Sequence, residues 1–447
     1  MALLGQVLFV IALLFGLGFF ARNVKKLVRN IRLGKEIDRK DQPNERFANM
    51  ARVALGQSKM VKRPIAGFLH IVVYVGFVII NIEVLEIIID GIFGTHRIFS
   101  FLGATYNLLI GSFEILALLV FIGIIFFWTR RNVLKLKRFW ANEMKGWPKS
   151  DANNILYFEL ILMALFLLMN AADSQLQTLG AEHYANEAGI VGSFPVSQFL
   201  VPLIDGLSIS SLIIVERAAW WLHILGILFF LNYLYYSKHL HILLAFPNTY
   251  FAKLTPQGEF DNLESVKKEV DLMMDPDADP FAAPDPSEET EEPEKFGASD
   301  VKDLNWVQLL NSYTCTECGR CTSECPANQT GKKLSPRKIM MDTRDRLEEV
   351  GANIDTNKGE FKDDGKQLLD DYISREELWA CTTCNACVEA CPIGIDPLSI
   401  IVEMRRYLVM EESAAPNELN IAMGNIENNG APWPYNQMDR LNWAEEK

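Results

Sequence analysis

Long apolar runs alternate with basic loops along the first half of the chain. Residues 1–21 consist mostly of Leu, Phe, Val and Ile and contain no charged side chain. A membrane helix needs about 20 such residues. Four further runs approach or exceed this length, at 64–90, 105–129, 153–172 and 218–237. The pattern therefore predicts a bundle of five transmembrane helices.

A sixth apolar run, at 198–215, is weaker than the others. Pro202, Asp205 and Gly206 interrupt it, and a proline or a carboxylate disfavours a membrane-spanning helix. We expect this run to lie at the outer surface or to form a re-entrant segment. The first run is not expected to be a signal peptide, since its positive charges follow the apolar residues instead of preceding them.

The second half of the chain has a different pattern. Residues 271–300 contain 11 acidic residues, five prolines and one lysine, a composition that cannot bury enough apolar surface to fold. We therefore expect an acidic disordered linker at 255–300, acting as a plain tether or as a docking segment for a partner. Residues 301–412 show apolar positions at helical spacing and no alternating strand pattern. The predicted fold class is all-α, with domains at 1–254 and 301–412 and a C-terminal tail at 413–447.

The distribution of charge predicts the topology. Thirteen Lys and Arg residues lie within 22–63 and seven within 130–149, whereas Arg97 and Arg217 stand nearly alone on the other side. Basic residues collect on the cytoplasmic side of a membrane. We expect a multi-pass protein of the bacterial inner membrane, with its N-terminus outside and everything after Lys238 in the cytoplasm.

Charge also excludes a nucleic-acid partner. Residues 255–447 contain 40 acidic and 19 basic side chains, whereas nucleic-acid binding requires a basic surface. The expected surroundings of the chain are the lipid membrane and other redox proteins.

All eight cysteines lie between Cys315 and Cys391, in two copies of the motif C-x2-C-x2-C-x3-C-P at 315–326 and 381–392. One tight turn directs three thiolates to three corners of an iron–sulfur cube, and in two-cluster ferredoxins the fourth cysteine binds the other cube. A four-cysteine zinc site uses paired C-x2-C units and leaves the later cysteines unexplained. We predict a first 4Fe–4S cluster on Cys315, Cys318, Cys321 and Cys391, and a second on Cys381, Cys384, Cys387 and Cys325.

The segment 305–410 resembles the helical two-cluster ferredoxin domain of heterodisulfide reductases and of succinate dehydrogenase iron–sulfur subunits. The stretch CPANQTGKKLSPRK after the first motif is similar to the heterodisulfide reductase branch. The tail ENNGAPWPYNQMDRLNW resembles the connector that leads into a cysteine-rich catalytic domain in fused members. This chain contains no Cys-Cys pair. The resemblance implies a partner on another polypeptide, either an iron–sulfur subunit with Cys-Cys motifs or a flavoprotein donor.

Histidines within apolar spans are unusual and indicate a functional site. His70 lies near the cytoplasmic start of the second predicted span, and His239 and His241 lie at the cytoplasmic end of the fifth. Antiparallel packing brings these ends to a similar depth. We predict a haem b between His70 and His241, and we interpret His239 as an interfacial residue.

The stretches GFLHIVVYVGF and WLHILGILFFLNYLYYSKHLHILLAFP resemble two helices of the membrane subunit of respiratory nitrate reductase. That family places haem-ligating histidines where this chain has His223 and His241 on one helix, and His70 and Ile80 on the other. Because Ile80 replaces a ligand, the resemblance implies one or two haem b groups. A second haem would use His223 with His96 or His183.

Charged residues inside the spans are the remaining candidates. Glu83, Glu86 and Glu114 interrupt apolar helices, where a carboxylate must be paired, solvated or protonated. We predict possible proton handling by these three residues near a quinone, although Glu83 and Glu86 could instead face water at the outer interface. Arg63 and Arg217 are candidate partners of haem propionates.

Together these features predict an oxidoreductase subunit. A membrane haem and two cytoplasmic clusters on one chain would move electrons between the menaquinone pool and a cytoplasmic redox partner. One alternative is the membrane subunit of a heterodisulfide-reductase-like thiol–disulfide reductase. Another, from a different class, is a membrane-tethered redox sensor or scaffold.

Overall fold

A computed structural model describes residues 3–185, 189–276 and 295–445 of the chain. The described part is helical and contains no strand beyond two isolated bridges, Lys35 with Asn305 and Leu369 with Ile373. The bundle half comprises α1 (Leu3–Ile31), α2 (Pro43–Met50), α3 (Pro64–Phe93), α4 (Ala104–Asn132), α5 (Trp147–Thr178), α6 (Ile209–Tyr233), α7 (His241–Tyr250) and α8 (Glu264–Met274). The second half comprises α9 (Trp306–Thr314), α10 (Arg320–Glu324), α11 (Pro326–Gln329), α12 (Pro336–Thr356), α13 (Leu368–Asp371), α14 (Arg375–Trp379), α15 (Ala386–Ala390), α16 (Pro397–Met410), α17 (Asn417–Asn429) and α18 (Asn442–Glu445). These elements confirm the all-α prediction.

Five of the described helices are long and apolar enough to cross a membrane: α1, α3, α4, α5 and α6 with the turn that extends it to Tyr236. They pack as a closed ring in which α1 contacts α3 and α6, and α4 and α5 complete the circuit. The five predicted spans are therefore confirmed. Many side chains on the outside of the ring are apolar and exposed, such as Phe15 and Ile214, as expected for a surface that faces lipid.

The weak sixth run does not form a helix of its own. Short turns at Ser197–Phe199 and Val201–Leu203 occupy its first half. The second half belongs to α6, which begins at Ile209, where the Ser208 side chain accepts a hydrogen bond from the Ser211 backbone amide. The last span therefore starts nine residues earlier than the apolar pattern predicts.

Small residues allow the helices of the ring to approach one another closely. A Cβ atom at Gly91 in α3 would lie 2.5 Å from a ring carbon of Phe9 in α1, and one at Gly76 would lie 2.5 Å from a methyl carbon of Val120 in α4. Close packing of this kind drives association of helices in lipid, where apolar burial gives no net force.

The second half folds around an apolar core that includes Leu309, Ile339, Leu347 and Met404 and continues into the bundle. Within the expected linker 255–300, the structure contains α8, and Ala298 is fully buried against the core. Residues 277–294, which carry most of the acidic and proline-rich sequence, lie outside the described residues.

The cysteine-containing domain sits on the basic end of the bundle. Lys26 donates a hydrogen bond of 2.6 Å to Asp355, and Asn30 donates one of 2.9 Å to the Tyr313 hydroxyl. The two halves also share one apolar core, in which Leu27 takes part. The domain therefore lies on the side where the basic loops collect.

Candidate redox sites

Four cysteines surround one small cavity in the second half. Three of them come from the first motif, and the fourth comes from the second. Met340 and Ile395 complete the apolar part of the wall. The four cysteines of this first cavity are Cys315, Cys318, Cys321 and Cys391.

The remaining four cysteines surround a second small cavity. Its wall also includes Leu334 and Leu398, and Cys384 is the one cysteine of the eight that is exposed. Both groups are those that the motif spacing predicts, and their binding of iron stays a prediction. The four cysteines of this second cavity are Cys325, Cys381, Cys384 and Cys387.

A proline explains why the fourth cysteine of each motif reaches the other cavity. Pro326 and Pro392 follow Cys325 and Cys391, and a residue before proline is driven out of the helical conformation. Both cysteines accordingly have extended backbone angles and end the short helices α10 and α15. The chain turns away from its own three-cysteine loop at this point.

The two three-cysteine loops share one backbone conformation. Glu317 and Thr383, at equivalent positions, have φ of 54° and 57°, and Gly319 and Asn385 have φ of 70° and 60°. Positive φ is costly for residues with side chains. The repeated left-handed pair curls each loop so that its three thiols face one point.

The buried thiols require positive charge if they are to ionise. Burial, together with the nearby cysteines, raises the pKa of Cys315 to about 12 and that of Cys391 to about 11. Iron supplies such charge when a cluster binds. In the described part of the chain, no three His, Cys, Asp or Glu side chains converge closely enough to hold a single metal ion. Four cysteines around one cavity are the donor set that a 4Fe–4S cluster uses.

His70 and His241 face each other at the basic end of the bundle. Their ring centroids are 6.4 Å apart, with an angle of 44° between the planes. Imidazoles bound to opposite faces of one metal ion, with bonds of roughly 2 Å, have centroids roughly 6 Å apart. His241 Nδ1 lies 3.1 Å from the Lys238 carbonyl oxygen, and His70 Nδ1 is buried without a hydrogen bond. The spacing of the pair therefore suits two ligands of one metal ion between α3 and α7.

The other histidines are arranged differently. His223 is buried, with Nδ1 3.0 Å from the Leu162 carbonyl oxygen. His96 and His183 lie against each other at 5.8 Å, and His96 bonds Asp173 at 2.9 Å. Among the described residues, no ring contact joins His223 to His96 or His183. His239 lies beside His241, with its Nε2 3.5 Å from the Glu159 carboxylate.

A small charged cavity lies at the opposite end of the bundle from the cysteines. Glu83 and Glu86 line it together with Asp90, and both side chains are buried. Glu86 accepts hydrogen bonds from the Tyr106 hydroxyl at 2.8 Å and the Phe99 amide at 2.9 Å. One carboxylate oxygen of Glu83 has no partner. Arg97 pairs with Asp173 at 2.6 Å in the same wall.

Glu114 is fully buried and has a structural role. Its carboxylate accepts hydrogen bonds from the backbone amides of Val196 and Ser197, at 2.8 and 3.0 Å. These bonds hold the interrupted segment at the end of the bundle opposite the cysteine domain.

Both arginines that are candidate partners of haem propionates already pair with protein side chains. Arg217 pairs with the adjacent Glu216, and Arg63 donates to Ser323 and Glu324, both at 2.8 Å. Arg63 thus joins the bundle to α10.

Sequence reasoning missed one connection between the two sites. Lys238, whose carbonyl oxygen faces His241, extends its ammonium group to the Glu317 carboxylate. Glu317 lies between Cys315 and Cys318 and is buried, and it also accepts a hydrogen bond of 2.8 Å from Arg344. An unusual carboxylate inside a cysteine motif is the only signal of this contact in the sequence.

Comparison with known proteins supports the assignment of the cysteine region. Residues 314–395 match the family model described as a 4Fe-4S dicluster domain. Over 34% of its length, the chain is also 28% identical to one component of the dihydromethanophenazine:CoB–CoM heterodisulfide reductase of Methanosarcina mazei, covering 37% of that protein. This region is similar to heterodisulfide reductase ferredoxin domains, as its motifs predict.

Two curated relatives match nearly the whole chain. The probable iron-sulfur-binding oxidoreductase FadF of Bacillus subtilis is 29% identical over 98% of the chain, and the EtfAB:quinone oxidoreductase of Syntrophomonas wolfei is 27% identical over 92%. The chain is similar to iron–sulfur oxidoreductases. It spans 60% and 56% of the lengths of these two proteins. No solved structure matches the chain.

Proposed function

We propose that this chain transfers electrons between the menaquinone pool and a cytoplasmic redox partner, through one haem b and two 4Fe–4S clusters. The observation that carries the proposal is the position of Lys238, which contacts both His241 and Glu317. One residue thus links the histidine pair to the loop of the first cysteine group. The relative named EtfAB:quinone oxidoreductase supports the quinone as the carrier.

His70 and His241 would hold the haem, which supplies one-electron chemistry when bound. The Lys238 carbonyl fixes the orientation of the His241 ring, as an outer-shell partner does at other metal sites. Burial lowers the pKa of His241, so its imidazole stays neutral and able to bind a metal. We propose one haem, because His223 has no histidine facing it in the described structure.

The two cysteine groups would hold the clusters in series. The first group adjoins the bundle through Glu317, whereas the second contains the exposed Cys384. We assign the first cluster to exchange with the membrane and the second to exchange with the partner. The basic end of the bundle would face the cytoplasm of a bacterial cell, with the N-terminus outside.

The charged outer cavity would serve proton exchange. Glu83 has an unpartnered buried oxygen, and Glu86 is held by Tyr106. We propose that these two carboxylates carry protons between quinone and the outer surface, with Arg97 balancing their charge. Glu114 acts as a positioning residue for the outer segment.

The test is a spectroscopic turnover experiment with the purified full-length chain. Dithionite should produce reduced b-type haem bands, and a menaquinone analogue should restore the oxidised spectrum. Iron and acid-labile sulfide should approach eight each per chain, apart from haem iron. Absence of reoxidation by the analogue would reject quinone-linked transfer and favour the sensor or scaffold.

The haem site is tested separately with two histidine variants. His70→Ala should abolish the reduced b-type bands, because the metal would lose one of its two axial ligands. His223→Leu should retain them, because His223 has no partner histidine. Bands of full strength in His70→Ala would remove this residue from the ligand set.

A second candidate is the electron-input component of a thiol–disulfide reductase. The similarity to the heterodisulfide reductase of Methanosarcina mazei favours it. This function requires a co-purifying subunit with Cys-Cys motifs that releases a thiol product from a disulfide. Quinone reoxidation without any such product would support the first candidate.

A further inference from the structure

A basic cleft lies between the cytoplasmic ends of two membrane helices. It is open to solvent and lies between the start of α3 and the segment that follows α4. Its apolar wall is formed by Pro64, Ile65, Ala66 and Leu136. Its five cationic residues are Lys62, Arg63, Arg130, Lys137 and Arg138.

Only two of these five cations have an acidic partner among the described residues. Lys62 pairs with Glu389, and Arg63 pairs with Glu324 at 2.8 Å. The other three have none. The unpartnered cations of the cleft are Arg130, Lys137 and Arg138.

Arg138 shows most clearly that the cleft is built for a ligand. Its Nε and Nη1 atoms are buried and make no hydrogen bond, although its guanidinium stacks on the Phe139 ring at 4.8 Å. Buried guanidinium donors left without an acceptor are costly. An oxyanion in the cleft would neutralise the three cations, and its negative charge would offset the cost of burying part of the Arg138 guanidinium.

The surroundings of the cleft favour a lipid as the source of that oxyanion. Ile65, which lines the cleft, is 74% exposed, and Leu134, two residues before the lining residue Leu136, is 62% exposed. Both lie at the ends of apolar spans, where acyl chains meet headgroups. A lipid would place its phosphate among the cations and its chains along these side chains.

We propose that this cleft binds the phosphate of an anionic phospholipid. Basic pockets between membrane helices on the cytoplasmic side are suited to such headgroups. The bound lipid would lie beside the contact between the bundle and the cysteine domain, because Arg63 reaches α10. A Cβ atom at Gly319, in the first cysteine loop, would lie 3.4 Å from Arg138 Cβ.

Lipid binding is measured by native mass spectrometry of the detergent-solubilised full-length protein, with phosphatidylglycerol and phosphatidylcholine as probes. Phosphatidylglycerol should bind with at least tenfold higher affinity. The triple variant Arg130→Gln, Lys137→Gln, Arg138→Gln should lose about 100-fold of that affinity, since each cation near a membrane surface contributes about fivefold.

The matched control removes three cations at the same, basic end of the bundle, two in α1 and one just after it. The variant Arg22→Gln, Lys25→Gln, Arg32→Gln changes exposed side chains outside the cleft. It should retain the affinity of the unmodified protein. An equal loss in both triple variants would show a diffuse effect of charge and overturn the proposal.

Three further outcomes would also overturn it. Displacement of phosphatidylglycerol by inorganic phosphate at the same concentration would show a site for free anions. Loss of haem with unchanged lipid affinity in the cleft variant would assign the cations to propionates. Equal affinity of the unmodified protein for both lipids would reject the proposal without any variant. Failure of quinone turnover leaves this measurement unaffected.

Discussion

At the scale of single residues, the exchange of cysteines between the two motifs decides how the clusters are built. Cys391 completes the cavity of the first motif, and Cys325 completes that of the second. Backbone amides contact the sulfur atoms, as Ile395 does with Cys391 at 3.3 Å. Such contacts tune the reduction potential of a bound cluster.

This exchange gives a prediction for paramagnetic spectra. Cys391→Ser should perturb the same cluster signal as Cys318→Ser, although the two residues belong to different motifs. Cys384→Ser should perturb the other signal, because it lines the second cavity. Low-temperature spectra of the reduced protein check this. If Cys391→Ser instead matched Cys384→Ser, each motif would hold its own cluster.

Lys238 gives a second prediction at this scale. Lys238→Met removes a buried cation beside Glu317. Loss of one partner of a buried ion pair lowers the free energy of unfolding by about 3–5 kcal/mol. The reduction potential of the first cluster should fall, because less positive charge then stabilises the added electron. Redox titration of the cluster signals measures the shift.

A surface lysine provides the control for Lys238. Lys302→Met removes an exposed cation from the same domain and should leave both cluster potentials unchanged. A first-cluster potential that does not respond to Lys238→Met would argue against an electrostatic link through Glu317.

Residue spacing predicts the grouping of the cysteines, because local geometry decides it. The depth of His70 and His241 is likewise readable from the ends of their spans. The contact between Lys238 and Glu317 is not, since it joins residues 79 positions apart in the chain. The burial of Glu83 is also not readable, because it depends on Arg97 and neighbouring helices.

At the scale of elements, the contact between α1 and α3 depends on a missing side chain. Phe9 is buried and lies where a Cβ atom of Gly91 would be. Gly91→Ala should force these helices apart and lower the free energy of unfolding by about 1–3 kcal/mol. Thermal unfolding in detergent micelles measures the effect.

The control for this substitution is Gly18, which lies in α1, the helix that carries Phe9. No heavy atom lies within 4 Å of a Cβ atom built at this position, so Gly18→Ala should leave the stability unchanged or slightly increased. Equal destabilisation by both substitutions would show that packing against Phe9 is not responsible.

Apolar length predicts the five spans but misplaces the start of the last one. Glu216 and Arg217 break the apolar run, so the pattern begins the span after them. In the fold these charges pair with each other, and the Tyr184 hydroxyl donates to Glu216 at 2.6 Å. Hydropathy counts single residues and therefore cannot detect such pairing.

At the scale of the whole molecule, the cysteine domain is docked rather than merely tethered. Lys26 and Arg29 pair with Asp355, and Arg63 pairs with Glu324. The charge asymmetry between the halves predicts their separation into domains. It does not reveal that the basic loops contact the acidic domain, because such contacts depend on the folded shapes of both halves.

Docking gives a prediction for cleavage of the chain. A protease site inserted within 277–294 should, after cleavage, yield two fragments that co-purify, because the ion pairs and a shared apolar core connect them. Size-exclusion chromatography with iron–sulfur absorbance checks this. A brown fragment released without denaturant would contradict docking.

The association of the cleaved fragments should also depend on pH. Hydrogen bonds from Lys26 and Arg29 lower the pKa of Asp355 below its ordinary value. The ion pairs of Asp355 therefore stabilise docking at pH values above the ordinary pKa of an aspartate. This contribution is lost as the pH falls through the lowered pKa. Asp355→Asn should remove this part of the pH dependence.

The ring of membrane helices also constrains the order of assembly. Of the five described spans, α1 is the first in chain order, yet one of its two neighbours in the ring, α6, is the last. The cysteine domain rests on Asn30 at the end of α1 and on Lys238 beyond α6. The surface on which the cysteine domain docks is therefore complete only when α6 has packed against α1. A partly assembled bundle consequently lacks the docking surface for this domain.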